Sequence, residues 1–170
     1  MSVTIRAARA SDGRDLRQIE RLAGERFRNV GLESVADAEP ASLEVLADYA
    51  TEGRSWVAAD ERDRPVAYVI VDVVDGAAHI EQISVRPDRQ GTGIARALLD
   101  RVRTWASTTG KSAITLTTFE TIPWNGPLYE HLGFVMMQEQ ELGPELRSIR
   151  DAEARHGLDP AMRACMRLAI

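Results

Sequence analysis

Apolar positions along this chain recur with two alternating periods, and each change of period marks a change of element. Residues 4–9 look like a first strand. Ser11 and Asp12 then stand where a helix cap is wanted, ahead of Leu16, Ile19, Leu22 and Ala23 at the three- and four-residue steps of one helical face. That helix fades near Arg28, residues 29–40 form a polar, glycine-containing loop expected to be flexible, and helical spacing returns over 41–50 through Leu43, Leu46 and Ala50.

Residues 55–59 and 65–74 are rich in β-branched and aromatic side chains and flank the charged turn 60–64, which predicts an antiparallel hairpin. Asp75-Gly76 turns the chain into a third strand, 79–85, which stops where Arg86-Pro87 forces an extended exit. A long helix follows, with Ile94, Ala95, Leu98, Val102, Trp105 and Ala106 on one face, Arg96, Asp100, Arg101 and Arg103 elsewhere, and Gly110 as its stop. A strand at 113–118, a short helix at 127–132 and a strand from Gly133 to about Gln140 come next. A helix over 144–156 opens on Pro144 and closes at Gly157. Asp159-Pro160 then turns into a last strand in which Met162, Ala164, Met166, Leu168 and Ile170 share one face and Arg163 and Arg167 the other. The sum is a mixed α/β domain of about seven strands. No internal repeat or low-complexity linker interrupts it, so residues 1–170 are expected to form a single domain.

Composition narrows the class. With 44% hydrophobic and 28% charged residues in 170, disorder is excluded. The longest apolar run, 66–71, is far short of the roughly 18 residues a membrane span needs. Residues 1–9 lack the apolar core of a signal peptide, so a cytoplasmic protein with no membrane partner is expected. Cys165 is the lone cysteine, which removes an internal disulfide and thiolate metal clusters. A net charge of -5 suits nucleic acid poorly and a cationic small molecule better. The charge is also uneven: residues 31–61 carry eight acids and one base, residues 86–111 six bases and two acids.

The basic segment contains Val85-Arg86-Pro87-Asp88-Arg89-Gln90-Gly91-Thr92-Gly93-Ile94-Ala95, a strand end, a glycine-bearing turn and a helix start. Glycines let the backbone approach a ligand, and a helix N-terminus presents unpaired N–H donors at the positive end of its dipole, so such a turn suits phosphate. The same glycines can simply turn the chain. A dinucleotide fingerprint G-x-G-x-x-G would need glycine or alanine at position 96, which is Arg96, and no G-K-[ST] run supplies a nucleotide P-loop.

Taken as Q/R-x-x-G-x-G/A, with Gln90, Gly93 and Ala95, the loop resembles that of the GCN5-related N-acetyltransferase (GNAT) family. Trp124-Asn125-Gly126-Pro127-Leu128-Tyr129-Glu130-His131-Leu132-Gly133-Phe134 is similar to that family's second signature, ending L-Y-E-x-x-G-F. The resemblance covers most of the chain, because the order of elements is also the family's. It implies a GNAT fold: a mixed, mostly antiparallel sheet flanked by helices and splayed between the fourth and fifth strands. It implies acetyl-CoA as cosubstrate and no metal. Ile83 and Val85 would offer main-chain bonds to pantetheine, while Gln90, Gly91, Gly93, Ile94, Ala95 and Arg96 would surround the pyrophosphate. Asn125 would add a contact, although its four-residue spacing from Tyr129 is shorter than in many relatives. Arg86, Arg89 and Arg96 are candidates for the CoA phosphates. Tyr129 matches the family's tyrosine at the thioester sulfur, where a phenol can protonate the departing thiolate; its other role is core packing.

An acceptor amine is protonated at pH 7 and must lose a proton before or during attack. Glu81 sits where many relatives carry a glutamate acting directly or through water, and His79 is expected on the same face of its strand. His131 and His156 have no ligand spacing. The acceptor would bind near residues 25–40, Trp56 and Tyr68, where Glu33, Asp37 and Glu39 can attract a cation, and Trp124 walls the pocket or fills the core. The expectation is therefore acetyl transfer from acetyl-CoA to a primary amine, small and cationic, by direct attack in a ternary complex, with Cys165 a spectator. A protein or peptide amine, and a CoA-binding sensor without catalysis, remain alternatives. The apolar face of the last strand can pack internally or against a second copy, which leaves a homodimer open.

Overall fold

The computed structural model describes residues 2–170. Seven strands, β1 (Thr4–Ala7), β2 (Ser55–Ala59), β3 (Pro65–Val74), β4 (Ala77–Val85), β5 (Ala113–Phe119), β6 (Val135–Met136) and β7 (Arg163–Ala169), follow the sheet order β1-β2-β3-β4-β5-β7-β6. The recorded pairs are antiparallel except β4 with β5. The chain divides into two compact units: the chain up to Val71 with Glu81–Arg101, and Asp72–Ile80 with Val102–Ile170. The expected α/β class and mostly antiparallel sheet are thereby found.

In the first unit β1 pairs with β2 from Thr4↔Ala59 to Ala7↔Trp56, and β2 with β3 from Ser55↔Ile70 onward. Alternation puts Val57, Tyr68 and Ile70 on one face, where Leu16 and Ile19 of α1 (Gly13–Gly24) join them in a single buried cluster. Ala8 belongs to it as well, and residues 43–51 form the helix that adds Leu46. Each valine, leucine or isoleucine of this cluster contributes about 1.5–3 kcal/mol by leaving water. Asp12 does not cap α1 as the sequence suggests. Its carboxylate instead accepts the Arg9 N–H at 2.7 Å and pairs with the Arg6 guanidinium at 2.9 and 3.1 Å, and the first strand stops at Ala7.

The loop expected over 29–40 holds helical turns, a 3-10 stretch at Glu25–Val30 and α2 (Glu33–Ala36). Arg28 joins the two by pairing with both Glu25 and Asp37, so the polar composition reflects ion pairing across turns. Beyond it lies α3 (Leu43–Thr51), capped by Ser42, whose hydroxyl accepts the Val45 N–H.

In the second unit β5 and β7 pair along their length, Ala113↔Ala169 to Phe119↔Arg163, and β4 joins β5 in parallel at Ala78↔Ile114 and His79↔Thr115. The strand expected from Gly133 to Gln140 shortens to β6, bounded by Gly133 at φ +103° and a 3-10 turn at Glu139–Glu141. Two further helices are α4 (Ile94–Thr108), which the unit boundary crosses, and α5 (Gly126–His131). The last, α6 (Pro144–Arg155), buries Leu146 against Val74, Leu142 and Cys165. Its N-terminus is held by a residue far away in sequence: the Asp75 carboxylate accepts the N–H groups of Glu145 at 3.0 Å and Leu146 at 2.9 Å. The two arginines assigned to one polar face of the last strand part company. Arg163 is an internal partner of Glu153 at 2.8 Å, and Arg167 is exposed. Among the described residues no helix is long and apolar enough to cross a membrane.

Candidate functional site

Strand β4 ends at Val85, a 3-10 turn spans Pro87–Arg89, and two glycines follow before α4. Gly91 and Gly93 have φ of +75° and +85°, conformations that L side chains rarely adopt. A Cβ built on either would meet nothing within 4 Å, so the loop's backbone faces open space on which a phosphate can settle. Helix α4 starts immediately after, its first hydrogen bond running from the Ala97 N–H to the Gly93 carbonyl, and its earlier N–H groups have no acceptors within the helix.

Gln90 braces this turn from inside. Its amide donates to the Val85 carbonyl at 3.0 Å, and its own carbonyl accepts from Arg26 at 3.1 Å. Of the three arginines considered for phosphate, Arg86 forms a two-pronged pair with Asp88 at 2.6 and 2.9 Å, and Arg96 is exposed on the first turn of α4. Arg89 is 8% exposed, and its Nε has no hydrogen-bond partner among the described residues. Open glycines, free amides and an orphaned buried guanidinium atom together fit a polyphosphate ligand.

In the second unit the Trp124 to Phe134 segment explains its own residue types. Gly126 starts α5 so close to the preceding turn that a Cβ would lie 2.2 Å from the Glu120 carbonyl oxygen. The Tyr129 N–H donates to the Asn125 carbonyl at 3.0 Å, Gly133 turns the chain at positive φ, and the Phe134 N–H returns to the Tyr129 carbonyl at 3.0 Å. Phe134 is buried, and its ring meets that of the half-buried Tyr129 edge-on at 5.8 Å. The motif is thus a short helix of six residues that fixes a tyrosine.

The family model described as the acetyltransferase (GNAT) family matches residues 16–134. The chain belongs to this acetyltransferase family. A Salmonella typhimurium relative named peptidyl-lysine N-acetyltransferase YjaB is 29% identical over 107 residues, 62% of this chain and 68% of that one. Among solved structures, the PaiA N-acetyltransferase of Thermoplasma acidophilum, in complex with coenzyme A, matches 100% of both chains with a TM-score of 0.75 at 14% identity. A GNAT-family acetyltransferase from Staphylococcus aureus matches 99% of both at 0.74 and 14%. At such identities these likenesses speak for the fold.

The remaining candidates of this acetyltransferase separate by burial. Glu81 is the exposed residue of β4. His79 is 1% exposed with Nδ1 2.9 Å from the Thr115 hydroxyl, and its burial pulls the imidazole below the usual value. Asn125 turns its amide to the Trp124 carbonyl at 3.0 Å. Cys165 is buried beside Arg150, and burial pushes its thiol up, away from thiolate chemistry. No group of three or more histidine, cysteine or acidic side chains among the described residues is arranged to hold a metal. Of the three carboxylates expected to draw a cation, Glu39 pairs with Arg17 at 2.9 Å and Arg21 at 3.1 Å, Asp37 pairs with Arg28, and Glu33 is exposed.

Two features escaped the sequence. The Arg26 to Gln90 link joins segments 64 residues apart and leaves no local trace. Glu20, which receives a hydrogen bond from Tyr68, does leave one: it stands four residues after Leu16 and three before Ala23, a carboxylate inside the apolar face of α1.

Proposed function

We propose that this acetyltransferase carries the acetyl group of acetyl-CoA to a primary amine by direct attack within a ternary complex. The observation that supports this most is the turn from Gln90 to Gly93, two left-handed glycines opening onto free space at the start of α4. In this reading the amides of Gly91, Gly93, Ile94, Ala95 and Arg96 hold the pyrophosphate. Gln90 serves by shaping the loop, Ile83 and Val85 offer main-chain groups to pantetheine, and Asn125 contributes by setting the start of α5. The amine nitrogen bonds to the thioester carbonyl carbon, the carbon–sulfur bond breaks, and Tyr129 gives its proton to the thiolate. Glu81, exposed on β4, takes the proton lost by the amine, directly or through water. Residues 1–170 act as one transferase domain, in the cytoplasm.

The acceptor we favour is a small cationic amine. A peptidyl lysine is the second reading, supported by the name of the Salmonella relative. Calorimetry should show acetyl-CoA binding to the wild-type protein, and CoA release should be scanned over polyamines, aminoglycosides, amino acids and lysine peptides. Tight acetyl-CoA binding without turnover on any of them would overturn catalysis in favour of a CoA sensor. Tyr129→Phe should lower turnover with near-normal acetyl-CoA affinity, because only the leaving-group step loses its donor. Unchanged turnover would remove Tyr129 from the mechanism.

A further inference from the structure

The first unit holds one carboxylate that its neighbours leave under-served. Glu20 lies within the apolar face of α1 and is only partly exposed. Among the described residues its one hydrogen bond comes from Tyr68 Oη to Oε1, at a long 3.3 Å, and Oε2 is left unengaged. Arg17 and Arg21 flank it on the same helix, yet both direct their guanidinium groups to Glu39.

Tyr68 is 1% exposed, and its hydroxyl donates to Glu20, which ties β3 to α1. Burial, with the charges of Glu20 and Glu81, holds the Tyr68 phenol far above its ordinary value, so it remains a donor throughout the working pH range. Burial likewise lifts the Glu20 carboxyl, opposed by the Tyr68 hydrogen bond and by the positive charges of Arg17 and Arg21. The fold supplies this half-buried carboxylate with one distant donor, and Oε2 is not among the buried atoms, so a cation can reach it.

We propose that Glu20, oriented by Tyr68, binds the cationic nitrogen of the acceptor amine. The inference rests on the acetyltransferase reading and adds to it the group that selects the acceptor. An ammonium brings charge-assisted N–H bonds to Oε2, which a neutral isostere cannot match. Glu20 and Glu81 attract it, and Glu39 offsets one of the two positive charges of Arg17 and Arg21. Tyr68 is a positioning residue, fixing the carboxylate without touching the acceptor.

The test uses carboxyl-13C glutamate-labelled full-length protein with CoA bound, titrated with n-butylammonium and, as the neutral control, n-pentanol. The Glu20 resonance is assigned by its loss in Glu20→Gln. We expect it to move with the ammonium and not with the alcohol. Its titration midpoint should fall by about one pH unit when the amine is present, since a bound cation favours the charged carboxylate. Glu20→Gln should bind n-butylammonium about tenfold more weakly, the usual size of one charged hydrogen bond. Glu20→Asp, which keeps the charge and shortens the reach, should fall between, and Tyr68→Phe should weaken binding and move the Glu20 midpoint. A Glu20 resonance indifferent to the ammonium, or equal amine affinity in Glu20→Gln, overturns the inference. Calorimetry with acetyl-CoA keeps the two failures apart: normal acetyl-CoA binding with an indifferent Glu20 sinks this proposal alone, whereas absent acetyl-CoA binding sinks the transferase reading beneath it.

Discussion

Gly126→Ala tests whether the second motif is a mechanical support for Tyr129. The added methyl would lie 2.2 Å from the Glu120 carbonyl oxygen, 2.8 Å from its carbon and 3.0 Å from the Phe119 oxygen. All three are main-chain atoms, so no side-chain rotation relieves the clash. Ordinary carbon–oxygen approach is about 3.3 Å, which requires α5 to move by about 1 Å. Overpacking of this kind costs about 1–3 kcal/mol, and a backbone obstacle places this case at the upper end. At about 2–4 °C per kcal/mol for a chain of this size, Tm should fall by roughly 6–12 °C. The helix has only six residues and is tied at both ends, by Tyr129 N–H to Asn125 and Phe134 N–H to Tyr129, so it shifts with its tyrosine. A misplacement of about 1 Å at a reacting group lowers rate by about a hundredfold. Melting curves and steady-state CoA release should show both losses, while calorimetry shows near-normal acetyl-CoA affinity because the glycine turn is untouched. A Tm within about 1 °C of wild type together with unchanged turnover would refute the reasoning.

Other changes test separate links. Gly93→Val forces a β-branched residue to φ +85°, a strain of about 1–2 kcal/mol that should displace the loop amides and weaken acetyl-CoA binding about tenfold by calorimetry; unaltered affinity would remove the turn from the site. Asp75→Asn leaves α6 with one acceptor oxygen in place of two, so Tm should drop by about 2–4 °C for roughly 1 kcal/mol, with faster hydrogen exchange at Glu145 and Leu146; protection equal to wild type would deny the remote cap. His79 is held below its unfolded value, so between the two values the unfolded chain binds more protons than the folded one. Its contribution to stability is complete above about pH 6.5 and is lost as pH falls through the lower folded-state value. Thermal melts from pH 8 to 5 should therefore show a steeper acid decline in wild type than in His79→Gln, and parallel curves would refute the burial argument.

How much of this was legible beforehand depends on what wrote each feature into the chain. The unbroken apolar run over 66–71, and the three- and four-residue steps from Ile94 to Ala106, are consequences of burial, and both elements formed where those patterns lie. The glycine turn was legible for a related reason: a positive φ restricts the residue type, so the backbone need of the site is spelled out in Gly91 and Gly93. Features made by side chains meeting across the fold were not legible. Asp12 and Asp75 both looked like local cap or turn residues, but the first bonds Arg6 and the second holds a helix 70 residues away. The turns at 25–36 were hidden because Arg28 stabilises them through ion pairs without an apolar stripe.

The acidic segment shows why this distinction matters for function. Counting charges over residues 31–61 points to Glu33, Asp37 and Glu39 as the source of attraction for an amine. Pairing removes much of that attraction, since Asp37 and Glu39 already face three arginines between them. Glu20 lies outside the segment and adds little to any count, yet the arginines beside it are turned elsewhere and its one donor is distant. Local field depends on uncompensated charge in poorly solvated surroundings, so a single half-buried carboxylate outweighs several exposed and paired ones. If the acceptor is cationic, its affinity should therefore respond more to Glu20→Gln than to Glu33→Gln and Asp37→Asn combined. The opposite ranking would return the acceptor site to the acidic segment.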